Sequence, residues 1–303
     1  MREIQNSSRD AWLARRVHGL GASDAPVILG LSKYRSPFQL YHEKLGLAPA
    51  DPAESEAAEW GLTLEAPLSA RFERETGRVT VAPPAHMIFQ HNTIDWLLAS
   101  IDRWQHAIGP SGVPIEGWSP LELKTSNWAL DKDWKEEAPL AYQVQLQHQL
   151  AVSDSSMGSI AGLIGGQKFV WTDIQRDQAF IDILLAEEAK FWKRLIDHDT
   201  PPVDASEQTQ KTLKRLYATE TGEIVSLSPT AIEWDNDLEA AKKAIKEWEE
   251  KERLAKNRFL LSIGGATVGA LPNGVIYTLK GQTTREHVVK EATFRVLRRK
   301  GAK

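Results

Sequence analysis

The chain has no cysteine in its 303 residues. Disulfides, thiolate metal sites and a cysteine nucleophile are thereby excluded. No apolar run approaches the ~18 residues of a membrane span, and Met1–Asp10 has no apolar signal-peptide core. The expectation is a cytoplasmic protein with no membrane partner. Internal repeats and low-complexity tracts are also lacking. With a net charge of −4 there is no overall basic excess of the kind that draws nucleic acid. The charge is unevenly spread, however. Lys242 to Lys303 holds 15 Lys/Arg and 6 Asp/Glu, whereas the 241 residues before it hold 22 and 35, an acidic body followed by a basic tail. The composition, 42% hydrophobic and 26% charged, suits one large domain, or one domain with an appendage, around a sizeable core.

Residue patterns divide the chain at Pro201-Pro202, into 1–200 and a C-terminal extension, 201–303. Residues 10–48 read as broken helices. Asp10 caps the first, Ser23-Asp24 the second, and Ser36-Pro37 opens a third over Phe38–Leu45. Residues 49–59 read as an acidic loop. Trp60–Thr76 reads as a helix with Leu64, Leu68 and Phe72 on one face and Gly77 past its end. Strands are expected over 79–108, then a turn at Gly109–Gly112. Pro139 opens a helix through Val152, two strands flank Gly165-Gly166, and another helix follows from about Asp177 to Asp197. Beyond the boundary come a long helix, Ala231–Leu261, and a small basic β unit. Most of the 11 tryptophans, Trp192 and Trp248 among them, lie in apolar-periodic segments and are expected in the core. The expected fold is α/β, a mixed central sheet flanked by helices with a C-terminal helix and small β extension.

The chemistry concentrates at Asp102 and Glu122-Leu123-Lys124. The tetrapeptide Leu121–Lys124 alternates apolar and charged residues. On a strand, Glu122 and Lys124 then share one face and Leu121 and Leu123 the other. Carboxylates brought close together repel, and a divalent cation is a good reason to find them beside a lysine. Mg²⁺ accepts one or two carboxylates and completes its octahedron with water and substrate oxygens. Phosphodiester hydrolysis needs the charge that such an ion supplies.

The tripeptide alone is common by chance, but a series of blocks surrounds it. Trp12, Arg16 and Ala22-Ser23-Asp24 precede Trp60-Gly61, Glu65 and Glu75-Thr76-Gly77. Ala99-Ser100-Ile101-Asp102, Leu121–Lys124 and Tyr142–His148 follow. In order and spacing this series resembles the YqaJ-like viral recombinase family, lambda exonuclease-type nucleases of the PD-(D/E)xK class, over roughly residues 10–198. Ile101 stands where the family usually has proline, a turn-shaping position and not a ligand. The resemblance implies a PD-(D/E)xK restriction-endonuclease-like core. It implies Asp102, Glu122 and the Leu123 carbonyl as metal ligands, with Glu65 as an additional acid. Lys124 and Gln145 would complete the catalytic set. Gln143 and Gln147 point elsewhere on their helix, and His148 reads as a structural histidine. Arg16, Ser23 and Ser100 would hold a terminal 5′-phosphate, with Trp12 nearby. The implied cofactor is Mg²⁺, with Mn²⁺ as an alternative. The implied activity is ATP-independent 5′→3′ digestion of linear double-stranded DNA, leaving 3′ single strands for a single-strand annealing protein in phage-type recombination. The further implications are a phage or prophage origin in a bacterial host and a toroidal homotrimer. Two other readings stay open: an endonuclease or flap-processing enzyme with the same chemistry, and a non-catalytic DNA-end-binding scaffold.

Overall fold

Two neighbouring segments with continuous buried runs, Ser119–Ser126 and Met157–Ile164, form the centre of a five-stranded sheet. The computed structural model describes residues 1–48, 56–106, 117–129, 134, 137–284, 291 and 295–299. The described elements run β1 (Arg2–Gln5), α1 (Arg9–Val17), α2 (Ala25–Ile28), α3 (Pro37–Lys44), α4 (Glu56–Thr76), β2 (Val79–Val81), β3 (Met87–Gln90), β4 (Leu98–Ala99) and β5 (Arg103–His106). After them come β6 (Ser119–Ser126), α5 (Leu140–Ser153), β7 (Met157–Ile164), β8 (Lys168–Gln175), α6 (Gln178–Asp197), α7 (Glu207–Leu216), α8 (Ala231–Ile263), β9 (Val268–Ala270) and β10 (Ile276–Thr278). The chain forms two compact units, Met1–Tyr217 and Ala218–Lys303.

The first unit is α/β, built on a mixed five-stranded sheet of order β2-β5-β6-β7-β8. Among its described strands only β6 and β7 pair in parallel, with Leu121 opposite Ser159 and Lys124 opposite Gly162. Helix α5 makes the crossover that a parallel connection requires. The alternation of β6 sends Leu121 and Leu123 against Leu68 and Phe72 of α4. On the opposite face, Leu146 and Leu150 of α5 pack with Ile160 and Ile164. The close seating of α5 requires Gly158. A Cβ there would lie 2.8 Å from Leu146 Cδ1 and 2.9 Å from the Pro120 carbonyl oxygen. A smaller antiparallel sheet, β1-β3-β4, carries the chain into Ser100 and Asp102, and Leu20 bridges to Leu97 beside it.

Several details differ from the sequence expectation. Ser8, not Asp10, caps α1, its hydroxyl accepting from the Ala11 N–H at 3.2 Å. Helix α4 begins at Glu56, ahead of Trp60, since Glu56-Ala57-Ala58-Glu59 combines good helix formers with acids in the first turn. The rest of the expected acidic loop, 49–55, and the turn at Gly109–Gly112 lie outside the described residues. Helix α7 was not anticipated. Ser206 caps it, and Thr209 Oγ1 donates to Ser36 Oγ at 2.8 Å at the start of α3, so it belongs to the first unit. Trp192 packs beside Trp96 in the core. Trp248, expected in the core as well, is 67% exposed, and α8 has no buried residue. Its apolar spacing is that of an amphipathic helix whose stripe has no cover among the described residues. In the second unit β9 and β10 pair antiparallel, and Tyr277 stacks on Phe259 of α8 with ring centroids 4.2 Å apart. No helix among the described residues is long and apolar enough to cross a membrane.

Candidate active site

Glu122 is the centre of the polar cluster on β6. It is 2% exposed, so its charge must be satisfied inside the protein. Lys124, two residues along the same face, donates to Oε1. Gln145 Nε2 donates to the same oxygen at 2.6 Å, and its own Oε1 accepts from Lys124 Nζ at 3.1 Å. Gln149 Nε2 donates to Oε2 at 2.6 Å and lies 3.1 Å from the Ser100 carbonyl oxygen. Residues four apart on a helix share a face, which is how α5 directs both glutamines at one carboxylate. Gln147 turns away to bond the Gln175 carbonyl and the Asp177 N–H. Gln143 bonds the Ala138 carbonyl at 2.7 Å.

Asp102 enters immediately before β5. Its Oδ2 accepts the Leu123 N–H at 2.8 Å, so the backbone of Leu123 sits against this carboxylate while the leucine side chain packs toward α4. Burial raises the Asp102 pKa well above the aspartate range, and the neighbouring Glu122 adds to the rise. Burial works against the Lys124 ammonium, but Glu122 and Asp102 outweigh it and hold its pKa above the ordinary lysine value. The ammonium also lies 5.1 Å from the centre of the Tyr142 ring. Glu65, from α4, accepts from Arg103 Nη1 at 3.1 Å. Burial nevertheless lifts its pKa, Arg103 offsetting only part of the effect.

A cavity of about 630 Å³ opens in front of this cluster. Glu65, Asp102 and Gln145 line it together with Trp12, Arg16, Ser23 and Ser100. Arg16 lies over the Trp12 ring at 4.6 Å and donates to Ser23 Oγ at 3.1 Å. Burial lowers the Arg16 pKa, yet a guanidinium stays charged at any physiological pH. Helix α2 is a single turn, so the positive charge beside Ser23 comes from Arg16 more than from a helix terminus. Asp24 supports this corner. It pairs with Lys44 at 2.7 Å and Arg35 at 3.2 Å, and it accepts the Gly21 N–H at 3.0 Å. Arg35 also pairs with Glu43. Three cations against two carboxylates leave one surplus positive charge behind the cavity.

Gln149, Arg103 and Asp24 are site residues that the sequence reading passed over. For Gln149 a signal existed, its four-residue spacing from Gln145. Asp24 lay inside the Ala22-Ser23-Asp24 block but was read only as part of a helix cap, and for Arg103 there was no signal beyond its position next to Asp102. His148 is structural: fully buried, it joins Glu188 Oε1 at 2.7 Å and the Leu98 carbonyl at 2.8 Å.

Among the described residues no three acidic or histidine side chains converge into a ready-made metal cage. Asp102 Oδ1 carries no hydrogen bond among them, and Glu122 faces Asp102 closely enough to raise its pKa. Two hard carboxylates beside an open cavity fit Mg²⁺, which takes few protein ligands and keeps several waters. Asp102 and Glu122 are the residues that could hold it.

The model of the YqaJ-like viral recombinase domain matches residues 11–156. The protein YqaJ of Bacillus subtilis (strain 168) is 34% identical over 271 residues, 88% of this chain and 82% of that protein. A match of that length runs through most of α8, beyond the family domain. Similar solved structures include an alkaline exonuclease (LHK-Exo) from Laribacter hongkongensis, with 22% identity, a TM-score of 0.47 and coverage of 62% of this chain and 93% of that one. A phage-related exonuclease from Haemophilus somnus 129PT is 16% identical, with a TM-score of 0.39 and coverage of 59% and 96%. With its length shared with YqaJ and its domain matched across the cavity-forming residues, the chain belongs to the YqaJ-like viral recombinase family.

Proposed function

We propose that the protein is a divalent-metal-dependent, ATP-independent 5′→3′ exonuclease on linear double-stranded DNA. It would leave 3′ single strands for a single-strand annealing protein. The observation that carries this reading is one cavity shared by Asp102, Gln145, Arg16, Ser23 and Ser100, with the buried Glu122–Lys124 pair behind it. An acid pair suited to phosphodiester chemistry and a cationic corner suited to phosphate thus open on the same space.

When bound, Mg²⁺ or Mn²⁺ supplies the positive charge that phosphodiester hydrolysis demands. Asp102 and Glu122 would hold it, with the Leu123 carbonyl as a further oxygen and Glu65 as an additional acid once released from Arg103. Lys124, kept protonated by its two acidic neighbours, holds the attacking water or the scissile phosphate. Gln145 fixes the ammonium and Glu122 relative to one another. Arg16 and the Ser23 and Ser100 hydroxyls take the terminal 5′-phosphate through charge-assisted bonds. A ring-shaped homotrimer around the duplex would make digestion processive.

Digestion of linear 5′-phosphorylated duplex, its 5′-hydroxyl counterpart and circular plasmid tests the reading. The expected outcome is Mg²⁺-dependent loss of the phosphorylated linear substrate, slower loss of the hydroxyl form and an intact circle. Lys124→Ala should abolish all of it. Cutting of the circle would move the protein to the endonuclease reading, and no difference between Lys124→Ala and the parent would overturn the mechanism.

A further inference from the structure

Helix α8 runs from Ala231 to Ile263, and none of its residues is buried. From Trp234 through Leu238, Ala241, Ile245 and Trp248 the spacing alternates between four and three residues. The same rhythm continues through Glu252 and Ala255. This is a heptad seam, the pattern of a helix that packs along another helix. Between Trp234 and Ala255 it extends roughly 32 Å at ~1.5 Å per residue. Trp234, Leu238, Ile245 and Trp248 are all exposed large apolar side chains on it.

The charges beside the seam identify the occupant. The first two turns carry Glu233, Asp235, Asp237 and Glu239 with no lysine or arginine, while the later part carries Lys251, Arg253, Lys256 and Arg258 against Glu252 alone. We propose that α8 pairs with α8 of a second copy of this chain, in antiparallel orientation about a two-fold axis between Ile245 and Trp248. In that register Ile245 meets Trp248 of the second copy, and Leu238 meets Ala255. Ala241 faces Glu252, its small side chain leaving room for the carboxylate, and a single polar seam position is a means of fixing register. Flanking positions meet their own kind when two helices run in opposite directions. Asp237 then faces Arg258, Lys242 faces Glu249 and Asp235 faces Lys256, three pairs of opposite sign that the two-fold axis doubles. Within the chain Asp235 already bonds Arg299 at 2.7 Å, Lys256 bonds Glu252 at 2.7 Å and Lys242 bonds Glu239 at 2.9 Å, so the Asp237–Arg258 pair, made twice about the axis, carries the argument. A parallel pairing would set Lys251 against Lys256 and lay the acidic first turns side by side.

Sedimentation equilibrium of the full chain tests this surface. Trp248→Asp should halve the mass of the assembly, whatever contacts the first unit makes. Arg258→Asp, which places an acid opposite Asp237, should lower it likewise, and adding Asp237→Arg to Arg258→Asp should restore it. Circular dichroism of each variant should show the helical content of the parent. A parent mass unaffected by Trp248→Asp would overturn the pairing, including the case in which the seam is covered by another protein. Failure of the charge exchange to restore the mass would overturn the antiparallel register.

Discussion

Replacing Lys124 by methionine keeps most of the side-chain volume and removes the cation bonded to Glu122. The cost follows from the surroundings. Glu122 is almost wholly inaccessible, whereas the Lys124 side chain is 21% exposed toward the cavity. Removing one partner of a buried ion pair costs about 3–5 kcal/mol, because the other charge stays buried. Here Glu122 keeps amide donors from Gln145 and Gln149, so the low end applies, about 3 kcal/mol. For a unit the size of Met1–Tyr217 that lowers the melting temperature by about 6–12 °C. The sign of the pH dependence is fixed as well. A lysine whose folded pKa is raised contributes stability fully below its ordinary value of 10.5, and loses it only as pH rises through the folded value. The gap between parent and variant should therefore be flat from neutral pH to about pH 10. With Mg²⁺ present the gap should shrink on the proposed reading, since an ion held by Asp102 and Glu122 would stand in for the missing cation. Urea denaturation with chelator and with Mg²⁺ measures both effects. A variant as stable as the parent in chelator would refute the reasoning about the pair. A gap that Mg²⁺ leaves unchanged would refute the metal assignment.

Three other substitutions probe separate parts of the site. Asp24→Asn should cost about 3–5 kcal/mol at neutral pH. Burial opposes the Asp24 charge, but Lys44 and Arg35 outweigh it and hold the pKa far below 3.8, so the contribution is present above that value and is lost as pH falls below it. Urea titrations from pH 7 to pH 3 should show the gap narrowing only at the acid end, and a gap independent of pH there would contradict this. Gln149→Leu removes the donor to Glu122 Oε2 but also a buried Oε1 that has no partner, so stability should fall by only about 1–2 kcal/mol. On the proposed reading hydrolysis should fall about 10–100-fold, as happens when a metal ligand loses its orienting partner, and full activity would show that Gln149 does not position Glu122. Gly158→Ala should cost about 1–3 kcal/mol by overpacking, read as a lower melting temperature. An unchanged melt would mean that α5 moves off the sheet without cost.

The central part of the fold was legible because its signals are local. The alternation in Leu121–Lys124 placed Glu122 and Lys124 on one face, and the caps at Ser36 and Asp177 are in the sequence as serine and aspartate before apolar runs. What escaped depends on tertiary contact. Helix α7 is short and polar, and its seat is Thr209 on Ser36, a pairing 173 residues apart. Trp248 was misassigned because periodicity reports an apolar face without saying what covers it. Arg103 was overlooked for a related reason. Its guanidinium reaches Glu65 across the sheet face, and no spacing rule links residues of a strand and a distant helix.

The short stretch from Leu98 to Arg103 joins the two halves of the cavity, and its bonding explains how they are held in register. The Leu98 N–H donates to the Leu20 carbonyl at 2.9 Å, tying the stretch to the segment that leads into Ser23. The Leu98 carbonyl meets His148, the Ser100 carbonyl accepts from Gln149, and Asp102 accepts from Leu123. Burial opposes a charge on His148, but Glu188 outweighs it and holds the pKa above the ordinary histidine value, which favours the doubly protonated ring that bonds both partners. Helix α5 and the Arg16–Ser23 corner grip the backbone of this stretch, and strand β6 grips its Asp102 side chain, all within five residues. A buried, multiply bonded segment of this kind opens rarely. On the exonuclease reading, the distance between the end-binding corner and the catalytic acids is therefore set by covalent chain and not by a hinge. The DNA must advance past a fixed ruler after each hydrolysis, and loosening the ruler should disturb where the cut falls before it disturbs whether DNA binds.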